Sequence, residues 1–163
     1  MTQIDEVLMA LRRVIRATDM HSKHLSKTAG LTAPQLLVLQ TLDRHGEVTI
    51  GEIAKAISLG QATVTTIITR LENRGSVTRE KSQQDRRKVF VTLTPEGKQL
   101  LARAPTPLQQ KFVTQFAGLE SWEQSMILSS LQRVATMMDA NDIDASPFLD
   151  VGDLDRGNND WET

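Results

Sequence analysis

At 163 residues, 39% apolar and 24% charged, the chain has ordinary globular composition and enough length for one domain with a core; it has no cysteine, which excludes disulfides, thiolate metal sites and thiol redox sensing. The formal charge of −1 conceals an asymmetry: from residue 140 onward seven acids face Arg156 alone, a net of −6, while the rest carries 18 bases over 13 acids, +5. A weakly basic body with an acidic tail suits a nucleic-acid partner, and with no apolar run near the ~18 residues of a membrane span and no signal-peptide core, the expected place is the cytoplasm.

From Ile4, apolar residues recur at Val7, Leu8, Leu11, Val14 and Ile15, the spacing of one face of an amphipathic helix that should run to about Lys27. The stripe turns polar at Thr18, His21 and Ser22 before Leu25, and Gly30 ends it. Thr32-Ala33-Pro34 then starts a second helix, with Thr32 as N-cap and Leu36, Leu37, Leu39 and Leu42 as its apolar face; Gly46 closes it.

Val48-Thr49-Ile50 reads as a short extended piece, and Ile53, Ala54 and Ile57 mark a short helix ending near Ser58. After Gly60, Val64, Ile67, Ile68 and Leu71 keep helical spacing until Asn73-Arg74-Gly75 stops the run. Two short helices with a Gly-containing turn between them predict a helix-turn-helix. A hairpin follows, Val77 to Lys81 out, Gln83 to Arg87 as the turn and Val89 to Leu93 back.

Thr94-Pro95-Glu96 is a strong helix start: a threonine N-cap, a proline at the first helical position and an acid in the first turn. That helix meets Pro105 and Pro107, and proline in a helix interior costs about 3 kcal/mol, so a kink or break is expected there. A segment from Leu108 to Phe116 follows, and Trp122, Met126, Ile127, Leu131, Val134 and Met138 outline a last helix opened by Ser121. Residues 140–163 read as an acidic, disordered tail; as an alternative, the tail could compete with DNA for Arg86 and Arg87.

Gln61, Ala62, Thr63, Thr65, Thr66, Thr69, Arg70 and Asn73 remain for the outer face of the helix whose inner face is Val64, Ile67, Ile68 and Leu71. Small hydroxyl and amide side chains near a helix N-terminus suit the major groove, although a threonine-rich face is equally the composition of a merely solvated one. The hairpin tips the balance. Between Arg79 and Lys88 lie five basic and two acidic residues, and Arg86, Arg87 and Lys88 sit at the tip, where they can reach phosphates or a minor groove. Helix, helix, strand, charged turn, strand is the order of a winged helix-turn-helix.

Ala62-Thr63-Val64-Thr65, Arg70-Leu71-Glu72-Asn73-Arg74-Gly75, Asp85-Arg86-Arg87 and Val91-Thr92-Leu93-Thr94-Pro95-Glu96-Gly97 together resemble the MarR (multiple antibiotic resistance regulator) family of bacterial transcription factors. The likeness covers roughly residues 4 to 139 in the order of elements. It implies a mainly α (α+β) fold: a winged helix-turn-helix lobe, 31–97, with a small antiparallel sheet, flanked by helical dimerisation segments, 1–30 and 98–139. It further implies a homodimer on pseudo-palindromic double-stranded DNA, acting as a repressor. Arg87 would enter the minor groove, and Asp85 would orient the wing through ion pairing.

Two positions depart from the family pattern. Thr66 stands where many members have arginine, so major-groove contact would lean on Gln61, Thr63 and Thr66. The cap before the recognition helix is Gly60 rather than serine, a difference of only a few tenths of a kcal/mol. Arg13 to Ser22 and the Ala104-Pro105-Thr106-Pro107-Leu108 break also resemble the subgroup that regulates ectoine and compatible-solute synthesis, which would make the signal osmotic or ionic.

Arg16, Thr18, His21 and Ser22 interrupt an otherwise apolar helix and are candidates for a small-molecule or ion pocket, a polar dimer contact being the other reading. His21 and His24, with only His45 besides, are expected to be surface or interface histidines rather than a metal site. Trp122, Met126, Met137 and Met138 read as core or dimer packing. No nucleophile motif, metal-ligand cluster or phosphate loop points to an enzyme or to a cofactor. The reading that competes with DNA binding is a winged helix used for protein-protein contact.

Overall fold

The computed structural model describes residues 1–143, so the expected acidic tail lies, but for its first four residues, outside the described residues. Seven helices and three strands follow in chain order: α1 (Gln3–Ala29), α2 (Ala33–His45), β1 (Val48–Thr49), α3 (Ile50–Ile57), α4 (Gln61–Asn73), β2 (Val77–Lys81), β3 (Val89–Leu93), α5 (Pro95–Arg103), α6 (Leu108–Ala117) and α7 (Ser121–Met137). This is the mainly helical winged helix-turn-helix expected from the sequence.

Local signals set most boundaries. Thr2, Thr32 and Thr49 each accept from the backbone of the third residue on, and Asp5, Gln35 and Glu52 return a bond to the cap's N–H, so α1, α2 and α3 start on capping boxes. The box at Thr49 is why Ile50 opens a helix instead of prolonging the extended piece. Gly30 and Gly75 both hold left-handed φ, 62° and 75°, and let the chain leave α1 and α4. At Pro105 and Pro107 the expected kink is a full break: Ala104 is extended, and α6 begins afresh at Leu108.

The core lies between α2, α3, α4 and the sheet. Leu25, Leu31, Leu36, Val38, Leu39, Ile53, Val64, Ile68, Leu71 and Val91 are completely buried there, and each such aliphatic side chain stabilises the fold by roughly 1.5–3 kcal/mol. The sheet has order β1-β3-β2, all antiparallel, with Val48 opposite Val91 and Val77 opposite Leu93. A third strand therefore fastens the hairpin to the lobe. Val91 is the buried rung, while Val89 and Leu93 are half-buried.

The remaining helices bury little. No residue of α6 or α7 is buried, and in α1 only Leu25 and Ala29 are. Ile4, Val7, Leu8, Val14 and Ile15 on α1, Phe112 and Val113 on α6, and Trp122, Met126, Leu128 and Leu131 on α7 are all exposed. Trp122, Met126, Met137 and Met138 are thus not part of this chain's own core.

Candidate nucleic-acid interface

The outer face of α4 starts with an uncapped end. Gly60 has no side chain, and among the described residues no side chain caps the helix start, which leaves the positive end of the helix dipole available to an anion. Gln61, Ala62 and Thr65 are exposed, Thr63, Thr66 and Arg70 half-buried. Gln61 also leans on α3: a Cβ added at Gly51 would stand 3.2 Å from its amide nitrogen. The missing side chain at Gly51 gives Gln61 its room.

Three threonines of this helix direct their hydroxyls inward. Thr65 donates to the Gln61 carbonyl at 2.8 Å, Thr66 to Ala62 at 3.2 Å and Thr69 to Thr65 at 2.9 Å. With the proton so engaged, what they offer outward is a methyl group and oxygen lone pairs, suited to a thymine methyl or a base amino group. Arg70 is the least free of the expected contacts: its Nη1 is sealed from solvent and has no acceptor among the described residues. A DNA contact from Arg70 must use its other nitrogens.

The wing turn is built by short polar side chains. Ser82 Oγ accepts from the Gln84 and Asp85 N–H groups, both at 3.2 Å, and Asp85 Oδ1 accepts from the Arg87 N–H at 3.1 Å. Lys88 N–H to Asp85 carbonyl and Ser82 N–H to Lys88 carbonyl, each 2.9 Å, close the loop. The turn therefore spans Ser82 to Lys88, one residue wider on each side than Gln83 to Arg87. Arg86, Arg87 and Lys88 are exposed, and among the described residues none pairs with an acid.

Asp85 corrects an expectation. It makes no ion pair among the described residues, its carboxylate accepting the Arg87 N–H instead; the pair that ties the wing to the helix is Arg79–Glu72, Nη2 to Oε1 at 2.8 Å. The Arg79 hydrogen bond, opposed by partial desolvation, holds the Glu72 carboxyl below its ordinary value. Residues seven apart across a helix end and a strand have no periodic signature, so this pair was not readable beforehand.

A second cluster missed in the sequence lies at the exit of α4. Thr94 Oγ1 donates to the Gly75 carbonyl at 2.6 Å and accepts from the Gly97 N–H at 3.0 Å, while the Thr94 N–H donates to the Ser76 carbonyl at 3.1 Å. Gly97 packs so tightly that an added Cβ would sit 2.1 Å from that Ser76 oxygen. The Thr94-Pro95-Glu96-Gly97 stretch caps a helix and also joins α5 to α4.

The four candidates for an effector pocket are only partly brought together. On a helix of 3.6 residues per turn, Arg16 points about 160° away from Thr18; Arg16 is exposed, and Thr18, His21 and Ser22 are half-buried. Thr18 donates to the Val14 carbonyl, and His21 Nε2 accepts the Leu108 N–H at 3.1 Å, which ties α1 to the start of α6. A cleft of about 240 Å³ between α2, α5 and α6 is lined by Gln40, Asp43, Arg44, Leu101 and Gln110, and by none of the four. Among the described residues no three His, Asp or Glu side chains gather as metal ligands, and no helix is long and apolar enough to cross a membrane.

Comparison with known proteins agrees with this geometry. Residues 31–89 match the profile described as the MarR family. The transcriptional regulator HosA of Escherichia coli O111:H- is 37% identical over 111 residues, 68% of this chain and 79% of HosA. Among solved structures, Bordetella bronchiseptica BpsR, whose DNA binding is regulated by 6-hydroxynicotinic acid, is 31% identical with a TM-score of 0.51, over 80% of this chain and 98% of that one. Reduced AbfR bound to DNA is 27% identical with a TM-score of 0.51, over 83% and 94% of the two chains.

Proposed function

The chain belongs to the MarR family of transcriptional regulators, and from that premise we propose that it binds a pseudo-palindromic operator as a homodimer and represses transcription. The observation that carries the reading is the wing: Arg86, Arg87 and Lys88 stand exposed on a hydrogen-bonded turn with no acidic partner among the described residues. Unpaired cations on a fixed turn are placed to neutralise phosphate, and Arg87 is suited to a narrow minor groove. Gln61, Ala62, Thr63, Thr65 and Thr66 would face the major groove, with Arg70 in a supporting place.

The dimer is supported by apolar surface. Large apolar side chains stand exposed along α1, α6 and α7, surface of the kind that marks an interaction site, and a second copy would cover the same faces on both partners. Where the operator overlaps the promoter, occupying it blocks transcription, and repression then requires no further surface.

The signal is proposed to be osmotic or ionic, in keeping with the likeness to compatible-solute regulators. An operator complex that neutralises several phosphates weakens steeply as salt rises. Thr18, His21 and Ser22, at the contact of α1 with α6, are the proposed place for an effector or ion.

The test is a titration of the protein against the DNA upstream of its own gene at several salt concentrations, with and without candidate solutes. Tight binding whose logarithm falls linearly with log salt is expected. Binding that is absent at every salt concentration would leave the winged helix as a protein-contact module.

A further inference from the structure

Three consecutive residues, Arg74, Gly75 and Ser76, carry the exit of α4, and between them they hold two other parts of the chain. The carbonyls of Gly75 and Ser76 take the Thr94 bonds that start α5. Arg74 reaches the other way: its Nη1 donates to the Gly30 carbonyl, and its Nη2 to the Ala29 carbonyl at 3.4 Å. Those carbonyls close α1, where the last C=O groups lack helical donors and the helix dipole is negative, so a guanidinium fork is well matched to them.

The setting is not that of a free surface cation. Burial, and after it the nearby charge of Arg103, draws the Arg74 pKa below its ordinary value. A cation kept beside another cation needs its acceptors, and here they are the end of α1. That helix has two parts: Leu25 and Ala29 are buried in the core, whereas Ile4, Val7, Leu8, Val14 and Ile15 stand exposed. A continuous helix from Gln3 to Ala29 is stiff, so displacement of its exposed part is delivered at Ala29 and Gly30. Arg74 itself is about 20 Å along α4 from Gln61, at 1.5 Å per residue, far from the end that would enter a groove.

We propose that Arg74 is a positioning residue that fixes the angle of the recognition helix against α1 and passes movement of α1 to the DNA-facing surface without touching DNA. This rests on the reading of α4 and the wing as a DNA interface. A ligand or a partner subunit that shifts α1 would then change operator affinity through these two hydrogen bonds.

The experiment uses the full chain and a duplex selected from a random pool by the wild-type protein. Affinity is measured across potassium chloride for wild type, Arg74→Met, Arg74→Lys and Arg87→Ala, with the thermal midpoint of each recorded. Arg74→Met should weaken binding by about fivefold, the size of a typical coupling between packed elements, leave the slope of log K against log salt unchanged, and narrow discrimination against unrelated DNA. Arg74→Lys should recover part of the loss, since an ammonium can still serve one carbonyl.

Unchanged affinity in Arg74→Met overturns the proposal, and so does a slope reduced as in Arg87→Ala, which would make Arg74 a direct phosphate contact. Should Arg74→Met fail to fold, Arg74→Lys is scored by the same readouts, and a curve identical to wild type overturns the proposal. Wild-type protein that selects no duplex overturns the DNA-binding reading, and this inference with it.

Discussion

Arg79, the third residue of the outgoing wing strand, lays its guanidinium against Glu72 in the last turn of α4, Nη2 at 2.8 Å and Nε at 3.2 Å from the same carboxylate oxygen. One arginine thus links the two elements proposed to enter adjacent grooves. Because both side chains are about a third exposed, solvent screens the pair, and it stabilises the fold by only about 0.2–1 kcal/mol.

For this pair the pH dependence has a definite sign. The folded Glu72 pKa lies below the ordinary 4.5, so its contribution is complete above that value and is lost as pH falls through the lower folded one. Glu72→Gln should lower stability in urea titrations at neutral pH by no more than about 1 kcal/mol. The difference from wild type should close at pH values below the ordinary carboxylate range. A gap that stays constant into acid would mean that Glu72 acts by packing alone.

Arg87→Ala should weaken specific DNA binding about tenfold or more and reduce the salt slope by about 0.9 for each phosphate contact removed. Electrophoretic or fluorescence titration at several salt concentrations reads both quantities. The folded state should be untouched, since the exposed Arg87 side chain makes no hydrogen bond or ion pair among the described residues and only its backbone N–H bonds Asp85. Normal operator binding by this variant would remove the wing from the interface.

Gly97→Ala should destabilise the protein by about 1–3 kcal/mol, the usual cost of forcing atoms into a filled space. The clash is with the Ser76 carbonyl, which is backbone and fixed by its bond from the Thr94 N–H, so no side chain can swing aside. Thermal or chemical denaturation checks it; a variant as stable as wild type would show that α4 and α5 can part at little cost.

Leu128 and Leu131, one helical turn apart on α7, are 56% and 55% exposed. Replacing both with aspartate should therefore leave the single chain's core intact. If α7 forms the proposed dimer, the double variant should raise the dimer dissociation constant about a hundredfold or more, because like charges facing each other across an interface cost several kcal/mol. Sedimentation equilibrium gives the answer directly, and an unchanged dimer would place the interface elsewhere.

Local physics made much of this fold readable from the chain alone. Threonine and glycine at helix ends, prolines at the α5–α6 break, a 3.6-residue rhythm at Val64, Ile67, Ile68 and Leu71, and alternation at Val89, Val91 and Leu93 each act within a few residues. A one-dimensional pattern can carry such information. The winged helix-turn-helix order, and with it the basic wing tip, was therefore legible. The start of α3 at Ile50 and the width of the wing turn were set by single side chains, Glu52 and Ser82, whose hydrogen bonds select one of several possible boundaries.

What the tertiary structure alone decided are the relations between segments distant in sequence. Arg79 meeting Glu72, Arg74 reaching Gly30, Gly97 lying against Ser76 and β1 closing the sheet on β3 all depend on how elements pack, and no spacing along the chain encodes them. The same reason separates Asp85 from its expected ion pair: its neighbours in space are the backbone groups of its own turn. Apolar periodicity on α1 and α7 announced helices with one greasy side. Only the folded chain showed that this side is left outside the core, because α2, α3, α4 and the sheet already fill it.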